Sequence, residues 1–435
     1  MTEPASRPAF RETLPVFARI GLLSFGGPAG QVALMHRELV EERGWIGERR
    51  FLDALNFCHL LPGPEAQQLA TYVGWTLHGV RGGLAAGLLF VLPGAAIMLA
   101  LSLLYASAAG LAWFDALFTG IKAAVLALVA LALARIAGRA LDTGFKRLLA
   151  GLAFAALFLF ALPFPLVVLG AGLAGLAVAG LRPDWLAIKA APEASVARPA
   201  LAGTLLTLAL WLAIWALPLV LVLALLGRTH VLWDIGAYFS QLAVLTFGGA
   251  YAVLAWMAQE AVGQFGWLSA GEMADALGLA ETTPGPLILV TQHVGTLAAM
   301  RAADPFSPLA AGLLGAGLTT WVTFAPCFAW IFTLAPWLEW LQGSRRLQGG
   351  LAAVTAAVVG VIANLTLWFA IHVLFARTVA VDAGPLQTSL PDPATFQPLP
   401  LAIAIFALLA LARLRLNVVV VLGLCAAAGL LAGLV

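Results

Sequence analysis

Charge is what this chain has least of. Of its 435 residues only 10% are charged, while 62% are hydrophobic. An ordinary soluble domain carries about 25% charged residues, so this chain cannot dress its surface for water. A soluble enzyme is excluded, and so is a disordered or fibrous chain. The formal net charge of +2 gives no attraction to a nucleic acid, and no such partner is expected. Cysteine is scarce too: Cys58, Cys327 and Cys425 stand far apart, with no CxxC and no ligand spacing. His36, His59, His78 and His293 are scattered, so neither a metal nor a cofactor is expected. There is no HExxH and no GxSxG, so enzyme chemistry is not expected either. The opening MTEPASRPAFRETLP lacks an apolar core before a cleavage site and does not read as a signal peptide.

Long apolar runs are what the chain does have, from end to end. A membrane span needs about 20 apolar residues. Segments 84–107, 116–134, 200–226, 306–334, 347–374, 399–411 and 418–435 meet or approach that. Pro93-Gly94 is expected to bend the first. Segment 148–181 is broken by Pro163-Phe164-Pro165, so two short helices are expected there. Basic residues mark the cytoplasmic side. Arg135, Arg139, Lys146 and Arg147 cluster in one linker, and Arg182, Lys189 and Arg198 in the next. Arg345-Arg346 and Arg413-Leu414-Arg415 follow. If all four segments are cytoplasmic, 376–398 lies outside.

The chain also repeats itself. Leu23-Ser24-Phe25-Gly26-Gly27 recurs as Leu245-Thr246-Phe247-Gly248-Gly249, and Pro62-Gly63-Pro64 as Pro284-Gly285-Pro286. Gly44-Trp45, Asp53-Ala54-Leu55 and Glu38 recur as Gly266-Trp267, Asp275-Ala276-Leu277 and Glu260, always 222 residues on. One register held across Trp, Asp, Glu and two proline motifs reads as a duplication. Matching linkers carry opposite charge bias in the two halves, so the copies are expected to lie upside down to each other. The expected organisation is a first transporter repeat over 1–199, a connecting helix over 200–228 and an inverted second repeat over 229–435. The fold class is thus an all-α polytopic membrane protein with two inverted-topology repeats and roughly 11–13 membrane segments. Whether the irregular stretches 14–35, 54–77, 235–258 and 273–300 cross fully or are re-entrant stays open.

Those irregular stretches carry the candidate site. Gly-Gly and Pro-Gly-Pro breaks at membrane depth survive only where protein or a wet cavity covers them. A helix that starts there aims free N–H groups and a positive partial charge inward, which suits an anion. The same breaks also permit mere close packing. Candidate substrate-binding residues are Ser24, Gly26, Gly27, Gly63, Pro64, Gln67, Gln68, Thr246, Gly248, Gly249, Thr283 and Gly285. Lys122, inside a span, offers charge to the anion, pairs with a buried carboxylate or snorkels. Glu38, Glu65, Glu260 and Glu281 are candidate proton carriers, although Glu38 also fits a solvated interfacial position.

At these residues the sequence resembles the chromate ion transporter family in its long two-domain form. The most specific stretches are FGGPAGQVALMHRE at 25–38, LPGPEAQQLAT at 61–71 and GLAETTPGPL at 278–287. The resemblance covers nearly the whole chain. It implies a multi-pass protein of the bacterial inner membrane that exports chromate, with the chemically similar sulfate as competitor. The N-terminus is expected in the cytoplasm. Expected partners are the oxyanion and the lipid bilayer, with a homodimer as one form of an open oligomeric state. Potential-driven export and proton-coupled uptake of sulfate or a related oxyanion are both consistent with the residues, as are a membrane enzyme and a channel at lower rank.

Overall fold

The computed structural model describes residues 8–25, 27–188, 200–247, 250–338 and 344–433. Lys189 and Arg198 fall outside them, as do Gly26, Gly248 and Gly249. The fold is all-α apart from one hairpin. Six described helices are long and apolar enough to cross a membrane: α4 (Glu65–Ala108), α5 (Ala112–Ala140), α7 (Phe164–Leu181), α8 (Leu201–Leu226), α13 (Pro308–Leu334) and α14 (Arg345–Leu374). The shorter elements are α1 (Phe10–Leu23), α2 (Gly27–His36), α3 (Glu48–Cys58), α6 (Gly144–Phe158), α9 (Val231–Leu245), α10 (Ala250–Gln259), α11 (Ala270–Thr282), α12 (Val290–Arg301), α15 (Pro398–Ala412) and α16 (Val418–Gly433). The Pro163–Pro165 break separates α6 from α7 as the proline pair requires. Between α14 and α15, strands β1 (Thr378–Ala383) and β2 (Leu386–Pro391) form an antiparallel hairpin. Nothing in its sequence had marked it beyond a polar linker.

The residues divide into two compact units. Unit 1 holds 1–104, 193–250 and 283–343; unit 2 holds 105–192, 251–282 and 344–435. Each draws on both halves of the sequence repeat. In unit 2, α14 packs against α5, α6 and α7, and α15 and α16 pack against α5. The closest approaches are at glycine: Gly175 lies on Gly349 and Gly350, Gly360 on Ala150, and Gly120 on the Cys425 carbonyl. Small residues let helix backbones approach where lipid supplies no hydrophobic drive. In unit 1, α8 lies along α13 with no buried residue of its own, as expected of a helix facing acyl chains.

Pro93-Gly94, expected to bend or loosen its span, keeps helical backbone angles, and the chain turns instead in the gap between the stretch 54–77 and the span 84–107. α4 reverses at His78-Gly79, where Gly79 has φ +63° and ψ −153°, a conformation open to glycine alone. The reversal is shown by its contacts. A Cβ on Gly74 would strike Gly82 and Ala86, and one on Gly87 would strike Thr71. In a straight helix residues 71 and 87 would stand about 24 Å apart. α4 is therefore two antiparallel helices joined by two residues. Segment 65–77 rises only about 20 Å, short of the roughly 30 Å hydrocarbon core. α12 and α13 repeat the plan. The 12-residue α12 folds back on α13 with Gly295 against Gly315 and Thr319, and Gly312 against Met300.

The repeat is also visible in local backbone. Each half places a single π-helical turn after its second short helix, at Arg37–Glu41 and at Glu260–Gln264. Each then turns through a left-handed glycine, Gly44 at φ +63° and Gly266 at φ +60°. Trp45 and Trp267 donate their N–H groups to Leu39 and Ala261 respectively, at 2.9 and 2.8 Å. Extra-wide turns of this kind are rare and gather at functional sites.

Candidate functional site

The four chain breaks of unit 1 are interlocked. Gly63, in the first Pro-Gly-Pro, donates its N–H to the Thr246 carbonyl at 2.8 Å. Gly285, in the second, donates to the Ser24 carbonyl at 2.9 Å. Both donors and both acceptors are separated by the repeat offset of 222 residues. Each Pro-Gly-Pro loop thus closes on the break of the opposite half of the sequence. Gly63 has φ +120° and Gly285 φ +91°, so only glycine holds either loop without strain.

Each loop also rests on a long helix from the other half. A Cβ on Gly63 would lie 2.8 Å from Cys327 Sγ of α13. Gly285 lies on Gly94 of α4, where its Cβ would come 3.3 Å from the Gly94 Cα. Pro93-Gly94 is therefore a seat for the second loop. Next to it, Gln292 Nε2 donates to the Ala95 carbonyl at 3.0 Å, and Gln31 Nε2 to the Gly285 carbonyl at 2.6 Å.

Around these loops the interior of unit 1 is polar. Ser24, Gln31, Gln67, Gln68, Thr71, Ser102, Thr246, Thr291, Gln292, His293, Thr296, Thr319 and Thr323 are all buried. A set this size inside an apolar chain is costly unless partnered or wet. Much of it is partnered. The Ser24 and Thr246 hydroxyls turn back to the Ile20 and Leu242 carbonyls and finish α1 and α9, so their protons are spent on backbone. Ser102 Oγ meets His293 Nδ1 at 2.8 Å.

Gln67 and Gln68 follow the first loop directly and are both fully buried. Gln68 Nε2 donates to the Pro62 carbonyl at 2.7 Å, and reversing that amide would set oxygen against oxygen. Gln67 Nε2 donates to Thr71 Oγ1 at 3.1 Å, and its Oε1 has no hydrogen-bond partner. The Thr71 hydroxyl itself donates to the Gln67 backbone carbonyl at 2.9 Å, so its proton is spent as those of Ser24 and Thr246 are, and the amide NH2 is the group that faces it. Oε1 of Gln68 and of Gln292 are unpartnered as well.

Pro64 and Thr283 are buried beside their loops, and Gly27 opens α2 at φ +70°. Of the carboxylates, Glu65 is buried at the start of α4, 4.0 Å from His59 Nδ1. Glu38 is fully buried in its π turn, where Arg43 donates to Oε2 and Arg19 lies 3.5 Å from Oε1. Two guanidinium groups make it a structural anchor instead of the solvated interfacial group also considered.

In unit 2, Tyr251 donates to the buried Glu281 Oε1 at 2.9 Å, and Trp256 Nε1 to Glu260 Oε1 at 3.0 Å. Lys122 Nζ lies 3.0 Å from Asp275 Oδ1, and the Tyr105 hydroxyl donates to Oδ2 at 2.7 Å. Of the three expectations for Lys122, the structure places it in the ion pair. Gln31, Gln292, His293, Tyr105 and Tyr251 were not singled out from sequence. Thr291-Gln292-His293 and Thr296 did carry a signal, as a polar stripe in an otherwise apolar run one turn past the second Pro-Gly-Pro. The tyrosines carried none.

This architecture defines a multi-pass α-helical membrane protein built around broken helices. Comparison with known sequences gives its family. The profile described as "Chromate transporter" matches residues 12–176 and 233–430, and the chain belongs to the chromate transporter family. It is 35% identical over 356 residues to the "Chromate transport protein" of Pseudomonas aeruginosa, covering 81% of this chain and 79% of that one. Against the protein of the same description from Cupriavidus metallidurans it is 29% identical over 361 residues, 81% and 80% of the two chains. Against the "Probable chromate transport protein" of Synechococcus elongatus it is 28% identical over 359 residues, 82% and 83%. No solved structure matches the chain.

Proposed function

We propose that this protein is a secondary transporter that exports chromate across the bacterial inner membrane, driven by membrane potential, protons or both. The observation that carries the reading is the crossed pair of loop hydrogen bonds, Gly63 to Thr246 and Gly285 to Ser24, inside a buried polar interior. Broken helices that meet where two repeats interlock are the usual binding place of such transporters. The Gln67 amide, with one of its two N–H donors on Thr71, supplies the other, and the first turns of α4 and of the segment from Leu287 supply backbone N–H groups. Neutral donors hold a dianion and also release it. The chromate transport proteins to which the chain is similar supply the substrate.

The two repeats, 1–199 and 229–435, are inverted about α8 in this reading. The family profile matching in two stretches supports the duplication, and the opposed charge of matching linkers supports the inversion. The N-terminus then lies in the cytoplasm. Moving one charge through 100 mV is worth about 2.3 kcal/mol, so a departing dianion gains roughly 4.6 kcal/mol per 100 mV and needs no further coupling. The second reading, proton-coupled uptake of sulfate or a related oxyanion, is favoured by the buried carboxyls of Glu281 and Glu65.

The experiment is flux of chromate and of sulfate in proteoliposomes, with pH and potential set independently. Chromate movement that follows the imposed potential is the expected result. Sulfate entry with matching acidification selects the second reading, and no protein-dependent flux of either anion overturns both.

A further inference from the structure

Away from the interlocked loops, unit 2 contains a half-open cavity of about 480 Å³ where α14 ends and the chain enters the hairpin. Its polar lining is Thr119, Lys122, His372, Arg377, Thr378 and Gln397, and among the described residues no aspartate or glutamate lines it. In a chain with nearly balanced charge, a cavity whose ionisable lining is all basic is built for a negative guest. One water needs roughly 10–15 Å³ of such space, so a small anion fits with part of its hydration shell.

The two cations differ. Arg377 is exposed, and among the described residues its guanidinium makes no ion pair. Lys122 is mostly buried and held by Asp275. An ammonium has three donors, so that bond leaves others for the cavity. The Asp275 carboxylate is itself steadied by Tyr105, which fixes where the ammonium sits. His372 uses Nδ1 on the Trp368 carbonyl at 2.8 Å, which directs its other nitrogen elsewhere. The opposite end of α14 begins with Arg345-Arg346. Under the positive-inside rule that end is cytoplasmic, so the cavity opens on the outer face.

We propose that this cavity is a second anion station, which holds a hydrated, doubly charged tetrahedral oxyanion at the outer mouth, with Arg377 as its free charge and Lys122 as its oriented donor. The proposal rests on the transport reading for its purpose: in export this is the last station before release, and in uptake the first. The site's existence can be tested without flux.

The test is equilibrium binding of radiolabelled sulfate, displaced by chromate, to the purified full-length protein in lipid nanodiscs. Wild type is compared with Arg377→Gln, Arg377→Lys and Gly63→Val. Arg377→Gln should weaken one class of binding about tenfold, the scale of one charge-assisted contact, and Arg377→Lys should restore most of it. Gly63→Val should leave the Arg377-dependent class in place. Because Arg377 is exposed, Gln should fold, and an unchanged melting profile checks this. In proteoliposomes, outside sulfate should inhibit chromate export less in Arg377→Gln, with inside half-saturation unchanged. Binding by Arg377→Gln equal to wild type overturns the station whether or not flux is seen. Absent flux with Arg377-dependent binding intact overturns the transport reading alone.

Discussion

The two Pro-Gly-Pro loops share a backbone and little else. Both put a positive-φ glycine between prolines, both give its N–H to the opposite break, and both precede a short helix that folds back on a long one. After the first loop come Glu65, Gln67 and Gln68; after the second come Leu287, Ile288 and Leu289. The scaffold recurs, while the side chains that directly follow it differ. The interlocked loops thus have a matching backbone frame and different polar neighbours. The first loop is followed at once by side-chain amides, whereas the second receives its amide contact from Gln31, far away in sequence.

The largest expected effect breaks the frame. Gly63→Val should abolish chromate flux, more than a hundredfold loss, while the protein still inserts. It combines left-handed strain of about 1–2 kcal/mol with a Cβ 2.8 Å from both Cys327 Sγ and Gln68 Nε2. Gly285→Ala should be milder, a loss of about tenfold in flux, because its Cβ meets the movable Leu289 Cδ1 at 3.1 Å and strain of similar size remains. Equal effects at the two glycines would mean the loops are functionally equivalent.

Next in size is the asymmetry itself. Gln67→Leu should lower chromate flux about tenfold, the worth of one hydrogen bond to a charged group, with thermal stability kept in detergent. Leu289→Met, beside the other loop, should stay within twofold of wild type, as a volume-conserving swap does. If Gln67→Leu transports normally, the ligands lie elsewhere. The smallest effect separates coupling from binding. Tyr251→Phe removes the hydrogen bond to Glu281 and should change the pH at which flux is half-maximal without lowering its ceiling. A flat comparison of the two pH profiles would remove Glu281 from the coupling path.

Much of the frame was legible in the sequence, because backbone breaks announce themselves. Proline fixes φ and glycine frees it, and both Pro-Gly-Pro motifs and Pro163 fall between helices. The reversal in α4 falls in the gap the sequence leaves between 54–77 and 84–107, but its two residues and its sharpness were not legible. Proline at 93 is the stronger breaker by propensity, yet it lies within a continuous helix, whereas the unremarkable His78-Gly79 turns the chain. Tertiary packing decides that, since Gly74, Gly82, Gly83 and Gly87 allow the two arms to touch. Which residues complete the polar interior was legible only in part. Gln67 and Gln68 lie beside a motif; Gln31 and Gln292 reach their partners across 254 and 197 residues. The pairing of Lys122 with Asp275 and Tyr105 is likewise a product of packing.

The crossed bonds bear on how the chain is made. Residue 63 leaves the ribosome long before residue 246; at about 5–20 residues per second the delay is roughly 10–40 s. Through that interval the first loop has no acceptor for its amide hydrogen and must be sheltered in the translocation machinery or by water. The two halves, supplied as separate polypeptides, should therefore be inert alone and regain activity when made in the same cell.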